Sequence, residues 1–86
     1  MKKNYFKNQS ILVTGGTGSF GKALLKYFIQ KKIKIKKFVI FSRDEFKQFE
    51  MAKLYPISKF SFIRYFLGDV GDKSRLKRAL NGIDIV

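Results

Sequence analysis

The sequence predicts an α/β chain in which short parallel strands alternate with helices. Two observations carry this. Apolar runs of strand length recur along the chain, at Ile11–Thr14, Phe38–Phe41 and Ser61–Leu67. The segments between them carry helical spacing and helix start and stop signals. The resulting order is β-α-β-α-β-α-β, and strands that alternate with helices pair in parallel through crossover connections.

Each element has its own warrant. Ile11–Thr14 is strand one. Phe20, Leu24 and Phe28 repeat every four residues, with Ala23 and Leu25 beside them, and predict an apolar stripe on a helix from Phe20 to Ile29. Phe38-Val39-Ile40-Phe41 is strand two, and its unbroken apolar character suits a strand covered on both faces. Ser42-Arg43-Asp44-Glu45 has the S-x-x-E form of a capping box and predicts a helix running to about Leu54, closed off by Pro56. Ser61 to Leu67 is strand three. Gly68-Asp69-Val70-Gly71-Asp72 is a turn, with Asp72 as the cap of a third helix whose inner face carries Leu76, Ala79 and Leu80. Asn81-Gly82 stops that helix. Ile83-Asp84-Ile85-Val86 begins a fourth strand.

Composition bounds the function. Eighty-six residues make at most one small domain, and 45% hydrophobic content with ten Phe marks a core-forming chain. There is no cysteine and no histidine, which excludes disulfides, thiolate metal sites and imidazole catalysis within these residues. The start, Met1 to Ser10, is polar and lacks the apolar stretch of a signal peptide. No apolar run approaches the roughly 20 residues of a membrane span, so the expected location is the cytoplasm. The net charge is +13, and residues 1–43 hold eleven Lys or Arg and no acid. A basic stretch of this kind suits nucleic acid or another polyanion, but Ile33 and Ile35 interrupt the Lys run, and charged runs usually form solvated faces. Solvated faces are the expectation, without a nucleic-acid partner; a small basic polyanion-binding module is the alternative.

The chemistry concentrates after strand one, in Thr14-Gly15-Gly16-Thr17-Gly18-Ser19-Phe20-Gly21. Glycines at 15, 18 and 21, between a β-branched strand and an amphipathic helix, are spaced to hold a dinucleotide pyrophosphate on backbone amides and a helix N-terminus. Gly15 permits the tight turn, Gly18 lets the backbone approach phosphate, and Gly21 lets the helix lie close to the sheet. Thr17 and Ser19 add hydroxyls. A doubly wound sheet orders its strands 3-2-1-4-5-6 with the ligand beside strand one. The chain is therefore expected to be the N-terminal half of such a Rossmann domain, a fragment occupying residues 1–86.

The end of strand two bears on which dinucleotide. An acid there accepts from a ribose 2′-OH, as in NAD enzymes, whereas an Arg nearby favours the 2′-phosphate of NADP. Ser42-Arg43 precedes the acid Asp44, and Lys47 stands one helical turn on. The arrangement favours NADP; the alternative leaves Arg43 and Lys47 as surface charges and gives the ribose to Asp44. After strand three, Asp69 either accepts from the adenine amino group or stabilises its own turn. Two Tyr-x-x-x-Lys matches, Tyr27…Lys31 and Tyr55…Lys59, stand in the wrong places for the dehydrogenase pair, so both tyrosines are expected to pack. No acid–base pair or metal cluster remains.

These residues carry a resemblance. Thr14-Gly15-x-x-Gly18-x-x-Gly21 is similar to the cofactor loop of extended short-chain dehydrogenases/reductases. The fuller string from Ile11 to Lys22 resembles the nucleotide-sugar 4,6-dehydratases of bacterial polysaccharide and flagellin-glycan synthesis, above all the inverting UDP-N-acetylglucosamine type. Phe41 to Met51 and Arg64 to Asp72 resemble that group's segments after strands two and three. The resemblance covers nearly the whole chain but only about the first quarter of the expected protein. It implies that Thr17 to Phe20 hold the NADP pyrophosphate, within a cofactor-binding loop that comprises Gly15, Thr17, Gly18, Ser19, Phe20 and Gly21. Ser42, Arg43, Asp44, Glu45, Phe46 and Lys47 would wrap the 2′-phosphate, and Asp69 and Val70 the adenine. The implied activity is that of a lyase with an internal redox cycle: hydride leaves C4 of the sugar, water is eliminated across C5–C6, and hydride returns to C6. The implied parent is a homo-oligomer whose Tyr, Lys and acidic catalytic residues lie past strand four, so these 86 residues alone are expected to be inactive. Gly71 departs from the pattern, which usually has a larger residue there, often Arg. Another NADP-linked nucleotide-sugar epimerase or reductase is the alternative within the same fold.

Overall fold

In the computed structural model, residues 6–15 and 17–86 are described. Residues 1–5, with much of the polar start, and Gly16 of the glycine string lie outside them. Six elements follow one another: β1 (Ser10–Thr14), α1 (Ser19–Gln30), β2 (Lys37–Ser42), α2 (Glu45–Leu54), β3 (Ile63–Leu67) and α3 (Lys73–Ala79). The strands form one parallel sheet with β2 in the middle, ordered β1-β2-β3. This is the expected half of a doubly wound α/β fold.

Alternation along the strands sorts the core into two layers, because successive side chains in a strand point to opposite faces. Ile11, Phe38, Ile40 and Ile63 join Leu25 and Phe28 of α1 and Met51 of α2 in one cluster. Leu12, Val39 and Phe41 join Ala79, with Leu76 and Leu80 packed against them, in the other. Thus α1 and α2 cover one face and α3 the other. From Phe38 to Ser42 every residue of β2 is buried, as its unbroken apolar run predicts for a strand covered on both sides. Tyr27 and Tyr55 both pack against the first cluster, as expected.

Three local expectations change. The buried face of α1 is Gly21, Leu25 and Phe28, not a stripe centred on Phe20, Leu24 and Phe28; Phe20 is 71% exposed, and Ala23 is exposed too. At 3.6 residues per turn, positions 21, 25 and 28 share a face, but a glycine at its head contributes no apolar signal. Ser42 does not cap α2. It is the last residue of β2, in register with Leu67, and the cap is Asp44, whose Oδ1 accepts from the Lys47 N–H at 2.9 Å. Asp caps as well as Ser, and the ladder already claims Ser42. The fourth strand is one parallel bridge between Ile11 and Ile85. There the Ser10 N–H donates to Asp84 Oδ2 at 2.8 Å and the Leu12 N–H to the Ile85 carbonyl at 2.9 Å.

That bridge has a topological meaning. α1 carries the chain from β1 to one neighbour, β2, and α3 carries it back across the opposite face to β1's other side. The reversal of direction falls at β1, and in open α/β sheets ligands bind outside the carboxyl ends of the strands at such a point. Asp72 caps α3 as expected, accepting from the Arg75 N–H, and Gly82 stops the segment at φ +75. At the end of α1 the left-handed position is Lys32, at φ 55. The Ile33 N–H reaches the Phe28 carbonyl and the Lys32 N–H the Ile29 carbonyl, which closes the helix in a Schellman motif without glycine.

Candidate functional site

The loops after β1, β2 and β3 leave the sheet at the same end and enclose a cavity of about 570 Å³. From the first loop it is lined by Thr14, Gly15, Thr17 and Gly18; from the second by Phe41, Ser42, Arg43, Asp44 and Lys47; from the third by Gly68, Asp69 and Val70. Most of the residues singled out in the sequence therefore meet in one place. The others do not line it. Ser19 and Phe20 are exposed in the first turn of α1, and Gly21 is buried under that helix. Phe20 lines a separate apolar cavity with Leu24 and Ile85. Glu45 and Phe46 line another, of about 630 Å³, with Phe49 and Tyr65.

Backbone geometry builds the first wall. Gly15 sits at φ +63, a left-handed conformation that side chains adopt only with strain. Its N–H donates to the Phe41 carbonyl at 2.8 Å, and its carbonyl accepts from Gly18 at 3.0 Å, folding the loop onto the sheet. A Cβ on Gly18 would approach the Gly15 carbonyl oxygen to 3.3 Å. Gly18 is also the N-cap of α1 and provides no side-chain hydrogen bond to it. The helix therefore opens on amides that no side chain has claimed, with no acid in its first turn. A helix N-terminus of this kind favours an anion.

Side chains build the second wall. Asp44 Oδ1 is committed to the cap of α2. Arg43 reaches across to Asp69, with Nη1 to Oδ2 at 3.5 Å. Both are well exposed, at 81% and 55%, so this pair adds little stability. Asp69 also accepts from the Gly71 N–H through Oδ1 at 2.9 Å, which is the turn role weighed for it. Its carboxylate thus holds the third loop's shape while its other oxygen faces Arg43. Lys47 completes a cationic rim.

Gly68, at the base of the third loop, and Gln48, on α2, support the site, and sequence reading assigned neither a part in it. A Cβ at Gly68 would lie 2.8 Å from Phe41 Cζ and 3.1 Å from Arg75 Cγ. Arg75 in turn stands over the Phe66 ring and donates through Nε to the Leu67 carbonyl. Gln48 is buried and donates to Ser42 and Phe66; its three-residue spacing from Met51 marks the inner face of α2. Tyr65, on the outer strand, donates its hydroxyl to the Tyr55 carbonyl at 2.7 Å. Desolvation by burial, with a smaller contribution from Tyr55, raises its pKa to about 12. Among the described residues no His, Cys, Asp or Glu group could hold a metal ion, and no helix is long and apolar enough to cross a membrane.

The family model for "Polysaccharide biosynthesis protein" matches residues 11–86. A UDP-N-acetylglucosamine 4,6-dehydratase (inverting) of Campylobacter jejuni is 48% identical over 81 residues, 94% of this chain and 23% of that protein. A UDP-glucose 4-epimerase of Rickettsia typhi is 40% identical over 83 residues, 94% of this chain and 24% of that one. An uncharacterized membrane protein of Methanocaldococcus jannaschii is 42% identical over 83 residues, 96% of this chain and 23% of its own length. A crystal structure of Pen from Bacillus thuringiensis superposes with a TM-score of 0.79 at 34% identity, covering 94% of this chain and 24% of that one. The chain spans about a quarter of the length of the relatives it matches.

Proposed function

Because the chain belongs to the polysaccharide biosynthesis protein family, we propose that it is the NADP-binding portion of a nucleotide-sugar 4,6-dehydratase of the UDP-N-acetylglucosamine type. The observation that carries this reading is the cavity at the carboxyl ends of β1, β2 and β3. One wall offers unclaimed backbone amides, and the other offers Arg43 and Lys47. The donor set fits the group: backbone N–H groups for a pyrophosphate, and a planar guanidinium with an ammonium for a ribose phosphate.

In this reading Gly15, Thr17, Gly18 and the first turn of α1, at Ser19 and Phe20, hold the pyrophosphate. Ser42, Arg43 and Lys47 hold the 2′-phosphate, and Asp69 and Val70 border the adenine. NADP, when bound, supplies hydride transfer to and from the sugar. The chain's own residues bind and orient it, and Gly21 brings α1 close enough to the sheet to aim its N-terminus at the site. The residues that move protons belong to the remainder of the parent protein, so this chain alone does not dehydrate a sugar nucleotide.

Calorimetric titration of the chain with NADP⁺ and NAD⁺ tests the reading. The expected result is weak binding, about micromolar or weaker, with NADP⁺ preferred; a preference for NAD⁺ would return the ribose to Asp44. Sub-micromolar NADP⁺ affinity would contradict the reading of this chain as only a portion of the cofactor domain. The similarity to a UDP-glucose 4-epimerase supports a second reading, a portion of an NADP-linked nucleotide-sugar epimerase. Assay of the parent protein separates the two: release of water from UDP-N-acetylglucosamine supports the first, and inversion at C4 without water loss the second. A basic polyanion-binding module would instead show gel-shift affinity for nucleic acid that falls steeply with salt.

A further inference from the structure

We propose that Gln48 is a positioning residue for nucleotide specificity: from inside the protein it fixes the Ser42 hydroxyl as a hydrogen-bond donor available to a ribose phosphate. The inference rests on the reading of Ser42 to Lys47 as the segment that receives that phosphate. Gln48 and Ser42 are both buried, at 6% exposure each. The Gln48 amide nitrogen lies 3.0 Å from Ser42 Oγ, 3.1 Å from the Phe66 carbonyl and 3.3 Å from the Ser42 carbonyl. Two of these partners are carbonyls, which only accept, and this fixes which end of the amide faces them.

The consequence falls on the hydroxyl. Two amide hydrogens serve three oxygens, and Ser42 Oγ is among the acceptors. A hydroxyl that accepts from an N–H keeps its own proton for another partner. Among the described residues nothing accepts that proton, and Ser42 lines the cavity. Asp44 does not take that proton: its Oδ1 accepts from the Lys47 N–H, and among the described residues no hydrogen bond joins its carboxylate to Ser42. With Arg43 and Lys47, the end of β2 therefore presents donors. A phosphate monoester accepts from all three, whereas a bare 2′-hydroxyl needs an acceptor for its own proton. Arg43 and Lys47 bring charge on exposed, adaptable side chains; Gln48 gives one short donor a fixed direction.

The test uses two probes that differ by the phosphate, 2′,5′-ADP and 5′-AMP, titrated into the whole chain and into the variants Gln48→Met and Ser42→Ala. Methionine keeps the volume of Gln48 and removes its donor. A hydrogen bond to a charged group corresponds to roughly tenfold in affinity, so each variant should lose about tenfold of the preference for 2′,5′-ADP. The double variant should lose no more than either single one, and 5′-AMP should bind all of them alike. If Gln48→Met keeps the preference, or weakens both probes equally, the positioning role is overturned. If the unaltered chain shows no preference, the NADP reading fails and takes this proposal with it, a different outcome from the first. Should Gln48→Met fail to fold by circular dichroism, the side-chain amide signals of Gln48 in the unaltered chain decide by NMR. They should move more with 2′,5′-ADP than with 5′-AMP, and equal shifts overturn the proposal.

Discussion

After β1 the chain meets the cavity with backbone; after β2 it meets it with side chains. The first loop depends on a glycine at φ +63 and on a helix whose cap residue has no side chain. The second depends on Ser42, Arg43, Asp44 and Lys47, held from behind by Gln48 and closed against the third loop by Asp69. In the proposed reading the two walls answer different parts of the chemistry. Amides of a fixed loop recognise a pyrophosphate whatever nucleotide carries it, because that group is common to all dinucleotides. In that reading, side chains at the second wall meet the part in which dinucleotides differ. Substitutions in the first wall should therefore act on folding and on all nucleotides together, and those in the second should act on discrimination.

The largest effect is expected at Gly68, which opens the third loop. A methyl group there would stand 2.8 Å from the ring of Phe41, which is fully buried and stacks on Phe66. The buried ring must shift to make room, and overpacking of this kind costs about 1–3 kcal/mol. Gly68→Ala should lower the urea midpoint accordingly. A stability within about 0.5 kcal/mol of the original would mean that the β3 loop is more yielding than its packing indicates.

Gly15→Ala should cost less, about 1–2 kcal/mol, because the site has room for a Cβ and only the left-handed backbone is strained. It also separates the walls. If the first wall is generic, this substitution weakens NADP⁺ and NAD⁺ by the same factor; a change in their ratio would break the division of labour.

The division also explains what the sequence displays openly. A glycine loop is defined by residues that lack side chains at fixed spacing, so its signature survives without knowledge of any tertiary contact. The sheet was equally legible, since Phe38 to Phe41 form an unbroken apolar run and the caps Asp72 and Gly82 are local. The second wall was read only in outline. Ser42 looked like a helix cap because S-x-x-E is a local pattern, but its place in the ladder opposite Leu67 is a long-range fact. Gln48 is one polar residue among many on α2, and only its bond to the Phe66 carbonyl, from a different strand, distinguishes it. Phe20 misled in the opposite direction: a large apolar residue one position from the buried face outweighs the glycine that sits on it.

Asp44 sharpens the comparison at a smaller scale. Asp44→Ala removes the cap of α2 and should cost about 1 kcal/mol, while Asp44→Asn keeps a capping oxygen and should cost only a few tenths. If Asp44 is structural, neither variant reverses the order of NADP⁺ over NAD⁺. If Asp44 instead accepts from a ribose hydroxyl, both variants weaken NAD⁺ specifically.

Tyr65 provides the control that lies outside both walls, on the outer strand and near no proposed ligand contact. Its hydroxyl hydrogen bond to Tyr55 is worth about 1 kcal/mol, so Tyr65→Phe should destabilise modestly and leave nucleotide ratios unchanged. Its raised pKa gives the effect a pH signature. The folded chain holds the phenol proton more tightly than the unfolded chain, so the contribution is complete below the ordinary tyrosine value near 10. It is then lost as pH rises through about 12. Urea unfolding at pH 9 and pH 11 should show a steeper alkaline loss for the original chain than for Tyr65→Phe. Parallel losses would place the alkaline sensitivity in another group. A change in nucleotide preference would mean that β3 transmits more to the second wall than the bond between Gln48 and Phe66 accounts for.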